Sequence, residues 1–290
     1  MVRKIAAVIP TFNRAVDVIE CLTALSVQQS ISVQAIVVND GSSDGTTEKI
    51  LAQYPQTIVI EGDGNLWWSG CTNVGVQRAL DDGFDYVLLL NDDNAMEPGA
   101  VMHLLAYAES HPSTLVGSLV LIKGTNLVAY AGCTVRWLKG GPGLKDYRQP
   151  YTNQYSHVIS ADYLGGQGVL INTDVFRKIG LFDAVKFPQY YGDADFYLRA
   201  RRAGYEVVVE PKSIVWDGIN PDGFPRYGFR RGFRKLLNAY TSRRSAVNVV
   251  DTTRFYIKHC PKVLIPFGLA RRFLGYGRAY LMAQFTSGEA

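Results

Sequence analysis

Tyr86-Val-Leu-Leu-Leu-Asn-Asp-Asp-Asn94 is the stretch that sets the fold. Five consecutive apolar residues are too few for a membrane span and read as a strand buried on both faces. The run stops abruptly in four polar residues. The same figure occurs three times upstream. Lys4–Ile9 stops at Pro10, Val33–Val38 stops at Asn39-Asp-Gly-Ser-Ser-Asp-Gly45, and Thr57–Ile60 runs into Gly62-Asp-Gly-Asn-Leu-Trp-Trp-Ser-Gly70. Between these runs, helical spacing of apolar residues covers 15–28 (Val18, Leu22, Leu25), 47–54 and 73–80. Alternating strand and helix predicts an α/β fold with a mostly parallel central sheet and helices on both faces. In such sheets ligands bind beyond the carboxyl ends of the strands, where every one of these polar clusters lies.

Farther on, Pro98 opens a helix to about Ser110, and 115–162 reads as mixed strands and glycine-rich loops. A strand is expected over 165–172, helices over 174–178 and 193–203, a strand over 206–209, and mainly helix from Pro225 onward. The 290 residues suit one large α/β unit with a helical C-terminal extension, and no repeat is visible. No apolar run approaches the ~20 residues of a membrane span, and Pro266 interrupts the run 263–270. No signal-peptide core follows Met1-Val-Arg-Lys4, so the cytoplasm is the expected address. Four cysteines, at 21, 71, 133 and 260, match no metal or redox spacing and are expected as buried thiols. Charge is uneven: residues 221–290 hold thirteen Arg or Lys against three acids, while the rest carries seventeen basic and twenty-three acidic groups. An acidic body with a basic tail suggests that the tail meets something anionic.

The first strand-to-helix turn, Ile9-Pro-Thr-Phe-Asn-Arg14, lacks glycine, so neither a dinucleotide fingerprint nor a Walker loop cradles phosphate there. Asp40 ends the second strand, and Asp92 and Asp93 end the fourth. Adjacent carboxylates repel unless a cation neutralises them. Mg²⁺ or Mn²⁺, held by one or two carboxylates with water and phosphate completing the shell, suits the pattern. A solvated turn with one Asp as a cap suits it too. Trp67 and Trp68 read either as a stacking surface or as a packed loop anchor. Asp195 and Arg199, at i and i+4, make an ordinary helix-face ion pair worth about 0.2–0.5 kcal/mol where exposed. Asp193 has no such partner; it is a helix N-cap or a general base, and the helix dipole is expected to lower its pKa. Tyr190 and Tyr191, just before it, are placed to wall an acceptor site.

Seven motifs in order resemble the family 2 glycosyltransferases, in particular the bacterial rhamnosyltransferase-like branch that builds surface polysaccharides. They are Val8-Ile-Pro-Thr-Phe-Asn-Arg14, Val37-Val-Asn-Asp-Gly-Ser-Ser-Asp-Gly-Thr46, Asn65-Leu-Trp-Trp-Ser-Gly-Cys-Thr-Asn73, Leu88-Leu-Leu-Asn-Asp-Asp93, Gly165-Gly-Gln-Gly-Val-Leu-Ile171, Ile179-Gly-Leu-Phe-Asp183, and the run from Gly192 to Gly204. The resemblance implies a GT-A fold over 1–220, with a nucleotide-binding half (1–95) and an acceptor half (96–220), followed by the extension 221–290. It implies an inverting, metal-dependent transfer of a hexosyl or rhamnosyl group from a UDP- or dTDP-linked donor to a hydroxyl of a glycan or lipid-linked glycan. On this resemblance Asp193 is the base, and Asp93 and Asp217 hold Mg²⁺ or Mn²⁺. The donor would meet Pro10, Thr11, Asn13, Asp40, Asn65, Trp68, Asn73 and Asp92; Gly166, Tyr190 and Tyr191 would lie on the acceptor side. Three places depart from the family pattern. Asn91 stands where the metal turn often has Asp, and Asp217 stands where the family tends to have His; Gly192 also replaces the usual acid before the base.

In the tail, Phe229, Phe233, Leu236 or Leu237, and Tyr240 share one helical side, with Arg230, Arg231, Arg234 and Lys235 on the other. Residues 262–285 mix apolar side chains with Lys262, Arg271, Arg272 and Arg278. Basic amphipathic helices suit an anionic membrane surface, here the inner face of the cell membrane, or else a helical cap with a solvated basic face. A sugar-phosphate nucleotidyltransferase shares the alternating architecture, but its glycine-rich start is absent. A nucleic-acid binder using the tail lacks any recognised motif, and the body is acidic; no nucleic-acid partner is expected.

Overall fold

The computed structural model describes residues 3–28, 31–218 and 233–286. The four expected strands are β1 (Ile5–Thr11), β2 (Val33–Asn39), β3 (Ile58–Glu61) and β4 (Tyr86–Leu89), with α1 (Ala15–Ser26), α2 (Thr46–Gln53) and α3 (Trp67–Asp81) between them. All four are parallel, in the order β4-β1-β2-β3. Ile5–Ile9 of β1 and Val87 and Leu88 of β4 are fully buried, which is why these strands are unbroken apolar runs.

The chain then builds the other half of the same sheet. β5 (Asn94–Met96), α4 (Ala100–Ser110), β6 (Thr114–Ile122), β7 (Val128–Tyr130), a β8 (Cys133–Arg136) and β9 (Gly141–Leu144) hairpin, and β10 (Ile159–Ser160) lead to β11 (Val169–Asn172). After α5 (Thr173–Ile179) and α6 (Gly192–Arg202) comes β12 (Glu206–Asp217). β11 runs antiparallel between β4 and β6, and β12 runs parallel to β6. The carboxyl ends of β1, β2, β4 and β12 therefore share one rim.

Two elements extend beyond their sequence expectation, each for a reason remote in sequence. α3 begins at Trp67, not near Asn73, so the two tryptophans stand on a helix start and not in a glycine-rich loop. Asp40 makes this possible by accepting the backbone N–H groups of Leu66 and Trp67 from across the rim. β12 continues through a bulge between Glu210 and Ile214 to reach Asp217, because β6 keeps pairing with it on both sides of the irregularity.

The C-terminal helices are α7 (Phe233–Thr241), α8 (Val249–His259) and α9 (Ile265–Thr286). α8 buries Phe255 and Tyr256 in the same core as the sheet, and Phe255 stacks on Tyr191 at 4.9 Å. α7 and α9 meet around Ala239 and Tyr276. Phe229, Arg230 and Arg231 of the basic stretch lie outside the described residues, as do the side chains of Phe233 and Lys235; Arg234 and Leu237 are exposed, and Leu236 and Tyr240 are half-buried. No described helix is long and apolar enough to cross a membrane. All four cysteines are buried and free.

Candidate active site

The turn Asn91–Asn94 after β4 is folded on itself: the Asn94 side-chain carbonyl accepts the Asn91 N–H at 3.0 Å. That gathers Asp92 and Asp93 into one small acidic centre, where a single arginine, Arg14, reaches both. Thr11, at the end of β1, donates its hydroxyl to Asp92 at 2.9 Å. Arg14 reaches in from the start of α1, 3.5 Å from Asp92 and 3.2 Å from Asp93. The Asn94 amide bridges two carboxylates, at 3.5 Å from Asp93 and 3.0 Å from Asp217, and Gln167 donates to Asp217 at 2.6 Å. Burial pushes Asp217 up to about 7, with the Asp93 charge adding to it. Burial likewise pushes Asp92 up to about 7 and raises Asp93, while Arg14 opposes both.

Two buried carboxylates joined through one amide carry more negative charge than a single arginine offsets. Their hard oxygens fit Mg²⁺ or Mn²⁺, which takes one or two carboxylates and leaves the remaining positions to phosphate and water. Among the described residues no set of three or more acidic, His or Cys side chains gathers around one point. Asp93 and Asp217, linked through the Asn94 amide, are the pair that could supply ligands to one ion. Asn91 is not among them: its side-chain oxygen accepts the Trp68 indole N–H at 2.9 Å.

Trp68 stands beside this acidic turn, its indole N–H donating to the Asn91 side chain. It meets Phe182 edge-on at 5.4 Å and lies against the backbone of Gly166, where a Cβ would come within 2.3 Å of the ring. Only glycine lets the chain pass there. Asp40, which is 6% exposed, has its oxygens taken by the N–H groups of Gly64, Leu66 and Trp67. It thus holds the 64–67 turn in shape, including Trp67 at φ 58. Asn13, at φ 53, accepts the Ser43 N–H, and Asn65 is exposed beside Asp63.

Asp193 stands in the first turn of α6, where its carboxylate accepts the Ala194 N–H at 2.7 Å. The residue before the helix is Tyr191, at φ 68, so Asp193 is not the N-cap. The expectation of a lowered pKa is overturned: burial outweighs the backbone N–H groups and pushes Asp193 up to about 6. Gly192 packs on α3, and a Cβ there would lie 2.3 Å from the Ser69 hydroxyl. A larger residue has no room at that place.

Asp195 differs from its expectation as well. It is fully buried, and Arg199 at 2.9 Å is only one of its partners. Lys258 at 2.6 Å and His259 at 2.7 Å, both from α8, share its other oxygen. Against the push of burial, these hydrogen bonds hold its pKa well below the usual carboxylate range. Burial in turn lowers the His259 pKa.

Two expected site residues have their polar groups engaged elsewhere. Asn73 spends its amide on Phe182, accepting its N–H and donating to its carbonyl, both at 2.9 Å. Tyr191 is 6% exposed, and its hydroxyl donates to the Ala246 carbonyl beneath α8, so it walls no acceptor site. Tyr190 is half-buried beside it and Pro10 half-buried at the end of β1. Arg14, Asn94 and Gln167 join the site without having been singled out in the sequence. Their only signal was position: Arg14 and Gln167 lie inside two of the quoted motifs, and Asn94 directly follows a third.

The fold is similar to that of GalNAc-T7 with UDP, GalNAc and Mn²⁺, with a TM-score of 0.66 and 11% identity, covering 88% of this chain and 48% of that one. It is also similar to the mannosyltransferase PcManGT from Pyrobaculum calidifontis in complex with GDP-Man and Mn²⁺, with a TM-score of 0.60 and 14% identity, covering 100% of this chain and 77% of that one. These likenesses make the architecture a GT-A fold. In sequence the chain is 25% identical to N-acetylglucosaminyl-diphospho-decaprenol L-rhamnosyltransferase of Mycobacterium tuberculosis over 215 residues, 67% of this chain and 69% of that protein. The profile of Glycosyl transferase family 2 matches residues 6–161, more than half of the chain, and the chain belongs to that family.

Proposed function

We propose that this glycosyltransferase is inverting and metal-dependent, and that it moves a hexosyl or rhamnosyl group from a UDP- or dTDP-linked donor to a hydroxyl of a glycan or lipid-linked glycan in cell-surface polysaccharide synthesis. The observation that carries the reading is a buried diacid, Asp93 and Asp217 linked through Asn94, together with a separate carboxylate, Asp193, whose pKa burial pushes up to about 6. Asp93 and Asp217 would hold Mg²⁺ or Mn²⁺, which when bound offsets the charge of the departing diphosphate. Pro10, Thr11, Asn13, Asp40 and Asn65 line the nucleotide side, with Asp92 near the ribose and Trp68 under the donor. Gly166 and Tyr190 border the acceptor.

In this reading the acceptor oxygen bonds to the anomeric carbon while the bond from that carbon to the phosphate oxygen breaks. The acceptor proton passes to Asp193, and the nucleoside diphosphate leaves. A single displacement inverts the anomeric centre. A carboxylate with pKa near 6 is charged at neutral pH and yet basic enough to take that proton late in the step.

The mycobacterial relative's name gives a polyprenyl-linked acceptor, which favours a membrane-borne substrate here. α9 fits a place at such a surface, with Phe267 and Leu274 exposed alongside Arg271. The test is a panel of nucleotide sugars incubated with protein and Mn²⁺, read as slow donor hydrolysis. Release of nucleoside diphosphate from one donor, abolished by chelator and by Asp193→Asn, is expected. Wild-type protein inert toward the whole panel, or pyrophosphate exchange in its place, overturns the reading.

A further inference from the structure

Among the described residues, Arg14 is the one cation paired with Asp92 or Asp93. Its charge also acts on Asp217. Three carboxylates therefore share one guanidinium. The same guanidinium has a fourth neighbour: its Nε lies 3.1 Å from Asp17, whose side chain is 43% exposed. Local sequence sets this up. Arg14 immediately precedes α1, and Asp17 stands three residues on, in the first turn of the helix. Arg14 is thus held between the acidic centre and a carboxylate in contact with water.

Both oxygens of Asp93 are engaged. Arg14 Nη2 lies 3.2 Å from one, and the Asn94 amide lies 3.5 Å from the other. A divalent ion at Asp93 has to share that carboxylate with the guanidinium, which keeps its charge at every working pH. Two cations on one carboxylate repel each other strongly where water is scarce. A nucleoside diphosphate changes the balance, because its phosphate oxygens add negative charge that both cations can meet.

We propose that Arg14 is a built-in counter-ion that keeps the metal site weak in the free protein and makes tight metal binding conditional on the nucleoside diphosphate. This rests on the reading of Asp93 and Asp217 as metal ligands. Asp17 remains a partner for the guanidinium when an ion takes Asp93, so the exchange strands no charge. By reciprocity, the factor by which the nucleotide tightens metal binding is the factor by which the metal tightens nucleotide binding.

The experiment titrates Mn²⁺ into the full chain by calorimetry, without nucleotide and with saturating UDP (dTDP where UDP does not bind). Arg14→Gln is expected to bind Mn²⁺ alone about tenfold more tightly than wild type, and to gain less from the nucleotide. Arg14→Lys keeps the charge and should stay within about threefold of wild type. Asp17→Asn, on an exposed helix turn, should weaken Mn²⁺ binding by about threefold and have little effect in the Arg14→Gln background. Mn²⁺ alone should raise the Tm of Arg14→Gln by more than it raises that of wild type, which separates tighter binding from a folding defect. Unchanged or weaker Mn²⁺ binding by Arg14→Gln, equal tightening by Arg14→Lys, or a wild type that binds Mn²⁺ as tightly without nucleotide as with it overturns the proposal. Should Arg14→Gln fail to fold, unchanged or tighter binding by Asp17→Asn overturns it. With wild type binding Mn²⁺ and nucleotide together and Arg14→Gln unaltered, only this proposal falls; with no Mn²⁺ bound by either protein even with nucleotide, the metal reading falls with it.

Discussion

Replacing Asp195 with asparagine keeps the shape of the side chain and removes its charge. In the structure that charge is shared by Arg199, Lys258 and His259, with no part of Asp195 exposed. Arg199 also donates to the carbonyls of Ile179 and Leu181, and Lys258 reaches Asp183 at 3.0 Å. One carboxylate therefore ties α6 to α8 and to the loop that carries Phe182. Breaking a buried pair from one side costs about 3–5 kcal/mol; Arg199 and Lys258 keep some contact with water, so about 3 kcal/mol is expected. For a protein of this size that is a fall in Tm on the order of 6–10 °C, measured by calorimetry or fluorescence. The sign with pH follows from the direction of the shift. The folded pKa is depressed, so the stabilisation is whole above the unfolded value, about 4, and fades as pH falls below it toward the folded value. The Tm gap between wild type and Asp195→Asn should be flat from pH 8 to 5 and narrow below about 4. Well below its melting temperature the variant should keep turnover within about tenfold, whereas Asp193→Asn loses at least ~10²-fold. A Tm fall under 2 °C, or an inactive Asp195→Asn beside an active Asp193→Asn, refutes the reasoning.

The pH dependence of kcat/KM should rise with a midpoint near 6, as Asp193 becomes charged, and be lost below it; a midpoint under pH 5 would show that burial does not govern this carboxylate. Asp217→Asn should weaken Mn²⁺ binding in the presence of UDP by more than about tenfold in a calorimetric titration, and unchanged affinity removes Asp217 from the ligand set. Gly192→Ala should destabilise by about 1–3 kcal/mol through its clash with Ser69, and less so in combination with Ser69→Ala; a neutral or stabilising Gly192→Ala contradicts the packing described. Vesicles rich in anionic lipid should carry the protein upward in flotation, and removal of residues 262–290 should abolish this; wild type staying at the bottom of the gradient ends the membrane proposal for α9.

The four parallel strands were legible because burial on both faces demands unbroken apolar runs, and the run 86–90 could hardly be anything else. Asp40, Asp92 and Asp93 were legible for a topological reason: parallel strands deliver their carboxyl ends to one side; Asp217 was marked only by the family resemblance, because its strand runs on through a bulge that the sequence does not show. What stayed hidden were contacts that no local pattern encodes. Asp195 and Arg199 show helical spacing, but His259, 64 residues farther on, is what makes the site a buried junction. The dipole argument for Asp193 was sound in direction and lost to burial, which a sequence does not display. The orientations of Asn73 and Tyr191 depended on Phe182 and Ala246, neither of which a motif marks as a partner.

The gap left by Gly192 has a physical consequence for how the site works as a unit. Ser69 donates its backbone N–H to the Pro188 carbonyl at 2.8 Å and its hydroxyl to the Phe187 carbonyl at 2.6 Å. The Trp68 N–H reaches the Gln189 side chain at 3.3 Å. Gly192 completes this contact by letting α6 start directly against α3. The first turn of α3, which presents Trp68, and the first turn of α6, which presents Asp193, are thus fastened to each other through the 187–192 segment. Asp195 fastens the same α6 turn to α8, and Asp40 fastens the start of α3 to the end of β2. Trp68 and Asp193 therefore belong to one braced body, although 125 residues separate them in sequence. An acid at 192 would set a second charge beside Asp193 but would push the two helix starts apart, and glycine keeps them in contact.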